Sequence, residues 1–269
     1  MSKASRARAR AKYLAWQDAR YPEATEEEKR AMHDAHKAAM RPWRELRERY
    51  AEMEMRPLRV VAQTAAPVVH YDAPHLDSVL AWAVLMAQTQ GMGAELRPRY
   101  VPLPLQVAGF YGSNKSLPLW RCSIFTPVGA VAHDVAYIHK RAPGARHADS
   151  NNIRTSEGRY IERRVPLPTQ NAPAWEAFCY GNAAEVEQVL RHVRYLGKRR
   201  SNGFGEVAAW RVEAWEGGDP LVRDGALAHA IPAEHGAYAI AEPTTLVGWT
   251  PPEWNPALWS EGWPAGTAV

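Results

Sequence analysis

The sequence predicts an α+β chain built on a ferredoxin-like β-α-β-β-α-β core, and three observations carry that expectation. A β-rich run, "LRVVAQT", leads into "HLDSVLAWAVLMAQ", which sets Leu76, Val79, Leu80, Ala83 and Val84 at helical spacing. A second amphipathic stretch, "AAEVEQVLRHVRYL", leads through glycines into the strand-like "EVAAWRVEAW". Two further strand-like runs lie between these units, which completes the order.

The elements follow from the N-terminus. Residues 1–55 read as a charged helical arm: Thr25 with Glu28 forms a capping-box pattern that opens a helix through "EEEKRAMHDAHKAAM", and Pro42 starts the next helix in "PWRELRERYAEMEM". Tyr13, Trp16, Trp43 and Tyr50 give the arm a modest apolar face. The ferredoxin-like domain spans 56–216. Its second strand is expected in "RPRYVPLPLQV", near a sheet edge because prolines donate no ladder hydrogen bond. A long insertion at about 109–156 follows, and then a third strand in "GRYIERRVPLP" with one wet face. After a loop, Asn182 with Glu185 caps the second helix, whose stripe is Val186, Val189, Leu190 and Val193, and which is expected to end at Gly197. Residues 217–269 form an acidic, Pro- and Trp-rich segment that packs its tryptophans on the body.

Composition bounds the function. Over 269 residues, 46% are hydrophobic and 23% charged, as in a soluble globular protein, and no apolar run is long enough to span a bilayer. The first residues lack the apolar centre of a signal peptide, so a cytoplasmic location is expected, with no membrane partner. Cys122 and Cys179 have no CxxC partner and read as buried free thiols. The net charge of +4 hides an asymmetry: residues 213–269 hold eight acids against the single base Arg223, leaving 32 bases against 21 acids in the rest. A basic body points to a polyanion partner.

The stretch "YLGKRRSNGFGEVAAW" matches the spacing G-x-G-x-x-G/A of a dinucleotide-binding turn at Gly203, Gly205 and Ala208. That turn needs a strand before the glycines and a helix after them, and here the order is reversed. A Walker phosphate loop needs Lys followed by Ser or Thr after the second glycine, whereas Lys198 follows Gly197 and precedes Arg199. What remains is a basic loop: Lys198, Arg199, Arg200, Ser201 and Asn202, then Gly203 and Gly205 flanking Phe204. Such a loop suits single-stranded RNA, with cations on phosphates, glycines allowing close backbone approach and Phe204 stacking on a base. A glycine C-cap followed by a solvated turn, with Phe204 in the core, fits the same spacing equally well.

A glycine-rich loop between the last helix and last strand of a ferredoxin-like domain resembles the RAMP superfamily, the repeat-associated RNA-binding proteins of CRISPR systems. "PHLDSVLAWAV", "YIHKR", "GRYIERRVPLP" and "YLGKRRSNGFGEVAAWRVE" look like the subunit of type IV CRISPR effector complexes that caps the five-prime handle of the guide RNA. The resemblance runs from about Leu58 to the Pro- and Trp-rich end and leaves out the helical arm. It implies a subunit without catalytic residues, metal or cofactor that binds the crRNA handle and contacts the backbone and large subunits. Target DNA near the handle end and a helicase reached through the complex are further candidate partners. It also implies a thumb within residues 109–164 that grips the guide, with His139, Lys140, Arg141, Arg154, Arg163 and Arg164 as contacts.

Two other readings compete. A guide-processing endoribonuclease of the same fold would use His70, His75, His133 or His139 as general acid or base on a ribose hydroxyl, but spacing fixes no catalytic partner. His133, Asp134 and His139 in "HDVAYIH" do not make a known metal-ligand spacing. A DNA-binding or scaffold role would rest on the arm, where Lys3, Arg6, Arg8, Arg10 and Lys12 meet no acid before Asp18.

Overall fold

The computed structural model describes residues 25–70, 72–89, 100–112, 115–140 and 163–269. The first helix, α1 (Glu26–Ala51), starts where the capping box says it should: the Glu28 N–H donates to the Thr25 hydroxyl at 3.3 Å, and the Thr25 N–H donates to the Glu28 carboxylate at 2.7 Å. The expected break at Pro42 is absent. Pro42 sits inside one continuous helix because the residues after it, Trp43, Leu46 and Tyr50, form a stripe buried in the main core, and that burial offsets the lost hydrogen bond. Arg49 also reaches Glu185, in the later helix Ala183–Leu190, at 2.8 Å. The C-terminal half of α1 is therefore part of the body. Trp43→Ala is expected to cost about 3–5 kcal/mol in denaturant unfolding. A loss below about 1 kcal/mol would make α1 an accessory arm.

The chain continues as β1 (Arg56–Thr64), β2 (Val68–Val69), α2 (Leu76–Thr89), β3 (Val107–Tyr111), β4 (Leu117–Trp120), β5 (Thr126–Val128), β6 (Ala132–Lys140), β7 (Arg163–Asn171), β8 (Ala174–Gly181), α3 (Ala183–Leu190) and β9 (Val207–Ala214). The main sheet has the order β5-β8-β1-β9, with every neighbouring pair antiparallel. Strand alternation turns Leu58, Val60 and Ala62 of β1 and Trp175, Ala177 and Cys179 of β8 toward α2 and α3, where they join Leu76, Leu80, Val84, Val186 and Leu190 in one core.

Three expectations about the central strands are corrected. The segment "YVPLPLQ" is not a core strand: Pro102 and Pro104 cannot donate, and residues 101–104 pair with nothing regular. The second strand of the core is instead β5, preceded by an irregular stretch in which Ser123 and Cys122 already pair with Phe178 and Cys179 of β8. The third core strand is β8, in a stretch expected to be loop. The stretch "RRVPLPTQN" is a strand, β7, but it pairs with β6 in a nine-residue hairpin from Ala132↔Asn171 to Lys140↔Arg163. Residues 158–162 lie outside those described. Helix α3, expected to run to Gly197, stops at Leu190, because the Trp210 indole N–H donates to the Val193 carbonyl at 2.8 Å and residues 194–196 turn extended to pair with 205–207.

The end of the chain carries β10 (Val222–Arg223), β11 (Ala226–Leu227), β12 (Ile231–Pro232), β13 (Thr245–Val247) and β14 (Ser260–Trp263). Trp249 is fully buried beside Leu221, Ile231 and Val247, and the β3–β4 hairpin supplies Leu117 and Leu119 to this second core. Trp254 and Trp259 stay exposed. Cys122 and Cys179 are cross-strand neighbours, both free and buried, and burial pushes the Cys179 thiol up to about 12. Among the described residues no helix is long and apolar enough to cross a membrane.

Candidate nucleic-acid interface

The glycine-rich loop hangs between extended residues 194–198 and β9, and its backbone is pinned from one side. Lys198 N–H donates to the Val69 carbonyl and Gly205 N–H to the Pro67 carbonyl, each at 2.8 Å, while Leu196 N–H donates to Gly205 O at 2.7 Å. Gly197 and Gly205 are required there. Both have positive φ, and a Cβ would lie 2.7 Å from the Val69 carbonyl oxygen at Gly197 and 1.9 Å from that of Leu196 at Gly205. Between the pins, Arg200–Asn202 form one turn of 3₁₀ helix, entered through Arg199 in the left-handed region at φ 63°. Lys198, Arg199, Arg200, Ser201, Asn202 and Gly203 are exposed, and Phe204 is half-buried.

Val69, which holds the loop at Lys198, also holds the hairpin. Val68 and Val69 pair with Gln170 and Thr169 of β7, so β6, β7, β2 and Lys198 form one hydrogen-bonded ribbon. On one face of that hairpin the register sets Tyr137 opposite Pro166 and His139 opposite Arg164. The Arg164 guanidinium stacks diagonally over the Tyr137 ring at 3.8 Å, and Tyr137 is 46% exposed. The backbone of Lys140 and Arg163 closes the described part of the hairpin, and Arg141 and Arg154 lie outside the described residues. His133 and His139 lie six residues apart on one strand, about 20 Å, too far to share a metal.

Beside the loop, α2 and the C-terminal segment enclose a cleft of about 860 Å³, lined by Trp82, Lys198, Arg200, Glu253, Trp254 and Trp259 among others. The Arg200 guanidinium lies 4.6 Å above the Trp82 ring. Ser78 donates to Glu253, tying α2 to the opposite wall. Sequence reasoning found the cations of this region but not its aromatics. Tyr137 was legible in the alternation of "HDVAYIHK", whereas Trp82 and Trp254 are brought to the cleft by the fold and carry no local signal.

The outer face of the main sheet is closed to a ligand of this kind. Arg59 bridges Glu176 at 2.7 Å and Glu213 at 3.4 Å across three strands. Phe178 packs against Trp215 and under Arg223. Of the other histidines, His70 packs on Trp175 and shares a shallow pocket with His133, and His75 packs against His229.

Residues 105–219 match the model of a protein family described as CRISPR type IV associated protein Csf3. No curated protein matches the chain. The matched span runs from the start of the β3–β4 hairpin to just beyond β9, so it contains the β6–β7 hairpin and the glycine-rich loop. The match supports a subunit of a type IV CRISPR system.

Proposed function

We propose that the chain is the non-catalytic guide-RNA-binding subunit of a type IV CRISPR effector complex, holding the five-prime repeat handle between its glycine-rich loop and its β6–β7 hairpin and contacting the backbone and large subunits. The observation that carries this reading is the ribbon β6-β7-β2-Lys198, which joins a basic loop to a hairpin with an exposed Tyr137–Arg164 stack. The antiparallel order β5-β8-β1-β9, with α2 between β1 and β5 and α3 between β8 and β9, supports a ferredoxin-like core of the RAMP kind.

In this reading the chain performs no bond-breaking step; it positions. Lys198, Arg199 and Arg200 neutralise phosphates, the exposed backbone around Gly203 lets the strand approach, and Tyr137 and Trp254 offer faces for bases. Trp82 holds Arg200 in place, so less side-chain freedom is lost on binding.

The test is fluorescence anisotropy of labelled repeat RNA against the full chain, with a scrambled RNA as competitor, followed by electrophoresis of the same RNA after incubation in chelator. Preferential binding of repeat RNA that emerges whole is expected. Metal-independent cleavage that disappears on His139→Ala would replace the reading with the processing ribonuclease, and equal affinity for both RNAs would reduce it to non-specific polyanion binding.

A further inference from the structure

At the point where the C-terminal segment meets the start of α2, three side chains form a cluster that the RNA reading does not use. His75, Asp77 and His229 place one ligand atom each within 4.8 Å of one another. Asp77 and His229 are closed off from solvent, at 1% and 0% exposure, and His75 lies on the wall of the cleft.

The hydrogen bonds around the cluster define which atoms are left over. His229 Nδ1 is 2.7 Å from the Ala230 carbonyl, which can only accept, so Nδ1 carries a proton, and when the ring is neutral Nε2 presents a bare lone pair. Asp77 Oδ1 accepts the Ser78 N–H at 2.8 Å. The remaining atoms, His229 Nε2 and Asp77 Oδ2, face each other at 3.4 Å, and neither has a hydrogen-bond partner. Two buried acceptors in that position repel unless a positive charge joins them.

A proton and a metal ion would leave different distances. A charge-assisted N–H···O bond contracts to about 2.7–2.9 Å. Two atoms bound to one zinc ion at about 2.0–2.2 Å with a tetrahedral angle stand about 3.3–3.5 Å apart. The 3.4 Å separation of His229 Nε2 and Asp77 Oδ2 falls in the range of two atoms sharing one ion. His75 sits edge-on to His229, with ring centroids 4.9 Å apart, and brings a third nitrogen within 4.8 Å of the other two ligand atoms. The Nδ1–H bond to Ala230 is the outer-shell contact that fixes a metal-binding tautomer.

We propose that His75, Asp77 and His229 bind a zinc ion, with a water from the cleft as fourth ligand. The ion joins the first turn of α2 to the C-terminal segment and so fixes the cleft wall that carries Ala230 and Glu253. Nitrogen and carboxylate ligands of this kind suit zinc and exclude calcium or magnesium, which take oxygen sets.

The experiment uses the full chain, stripped with chelator and titrated with Co²⁺ as a spectroscopic stand-in. Stoichiometric binding with the intense visible bands of four-coordinate cobalt, displaced by Zn²⁺, is expected. Asp77→Asn, close in shape, and His75→Gln, on the cleft wall, should each weaken Co²⁺ binding by about tenfold or more, with folding checked by circular dichroism. If Asp77→Asn does not fold, His75→Gln decides. No four-coordinate spectrum in the wild type, or wild-type affinity in a folded variant, overturns the site. RNA is absent from the assay, so its outcome is independent of guide binding.

Discussion

Gly205→Val is expected to unfold the region around the loop, at a cost of about 4 kcal/mol or more, read as a fall in urea midpoint at unchanged slope. Two effects add. Gly205 has φ +71°, a region a β-branched residue enters only as an outlier, and its Cβ would lie 1.9 Å from the Leu196 carbonyl oxygen. Neither side can give way freely. Leu196 is fully buried, and Gly205 is hydrogen-bonded through its N–H to Pro67 and through its carbonyl to Leu196. Gly203→Ala is the control. Its φ is +82°, but a Cβ there would meet nothing within 4 Å, so only the left-handed penalty of about 1–2 kcal/mol applies. Equal costs at the two glycines would mean that the loop is not held against Pro67 and Leu196 as described.

The parts of this fold that were legible in the sequence are those whose stability is local or whose burial is one-sided. The capping box at Thr25, the Asn182 cap accepting the Glu185 N–H at 3.2 Å, and the α2 stripe each write a short-range pattern that tertiary structure did not override. Strand β8 was not legible because it is covered on both faces. Trp175, Ala177 and Cys179 face the helices while Phe178 lies under Arg223 and against Trp215, so the period-2 signal that marks a half-wet strand is missing. The Pro-rich stretch before β3 misled for the opposite reason. Its apolar alternation looks like a strand, but Pro102 and Pro104 lack the N–H groups that a ladder needs.

The candidate site divides along the same line. The cations from Lys198 to Arg200 were visible as a run, since a charge cluster after a helix is a local feature. Their setting was not visible. That Val69 joins Lys198 to the β6–β7 hairpin, that Trp82 lies under Arg200, and that His229 reaches Asp77 are pairings between segments far apart in sequence, which no spacing rule encodes.

The loop cations themselves provide the second large effect. Lys198→Ala, Arg199→Ala and Arg200→Ala combined are expected to weaken repeat-RNA binding strongly and to flatten its salt dependence. Each phosphate contact contributes about 0.7 to the slope of log affinity against log salt on a single strand, so three contacts predict a slope smaller by about 2. Stability should hardly change: all three residues are exposed, the backbone hydrogen bonds from Lys198 to Val69 and from Asn202 to Arg199 do not need the side chains, and the Arg200–Trp82 stack is worth about 0.5–1 kcal/mol at an exposed site. The αL conformation of Arg199 is as costly for Ala as for Arg, so that substitution introduces no new strain. The sheet's outer face offers the internal comparison. Arg59→Ala removes a cation already engaged by Glu176 and Glu213, and should leave the salt slope at the wild-type value. A slope unchanged in the loop variant, or lowered equally by Arg59→Ala, would mean that the RNA is held by the diffuse charge of the body, and Lys198, Arg199 and Arg200 would then be a solvated turn.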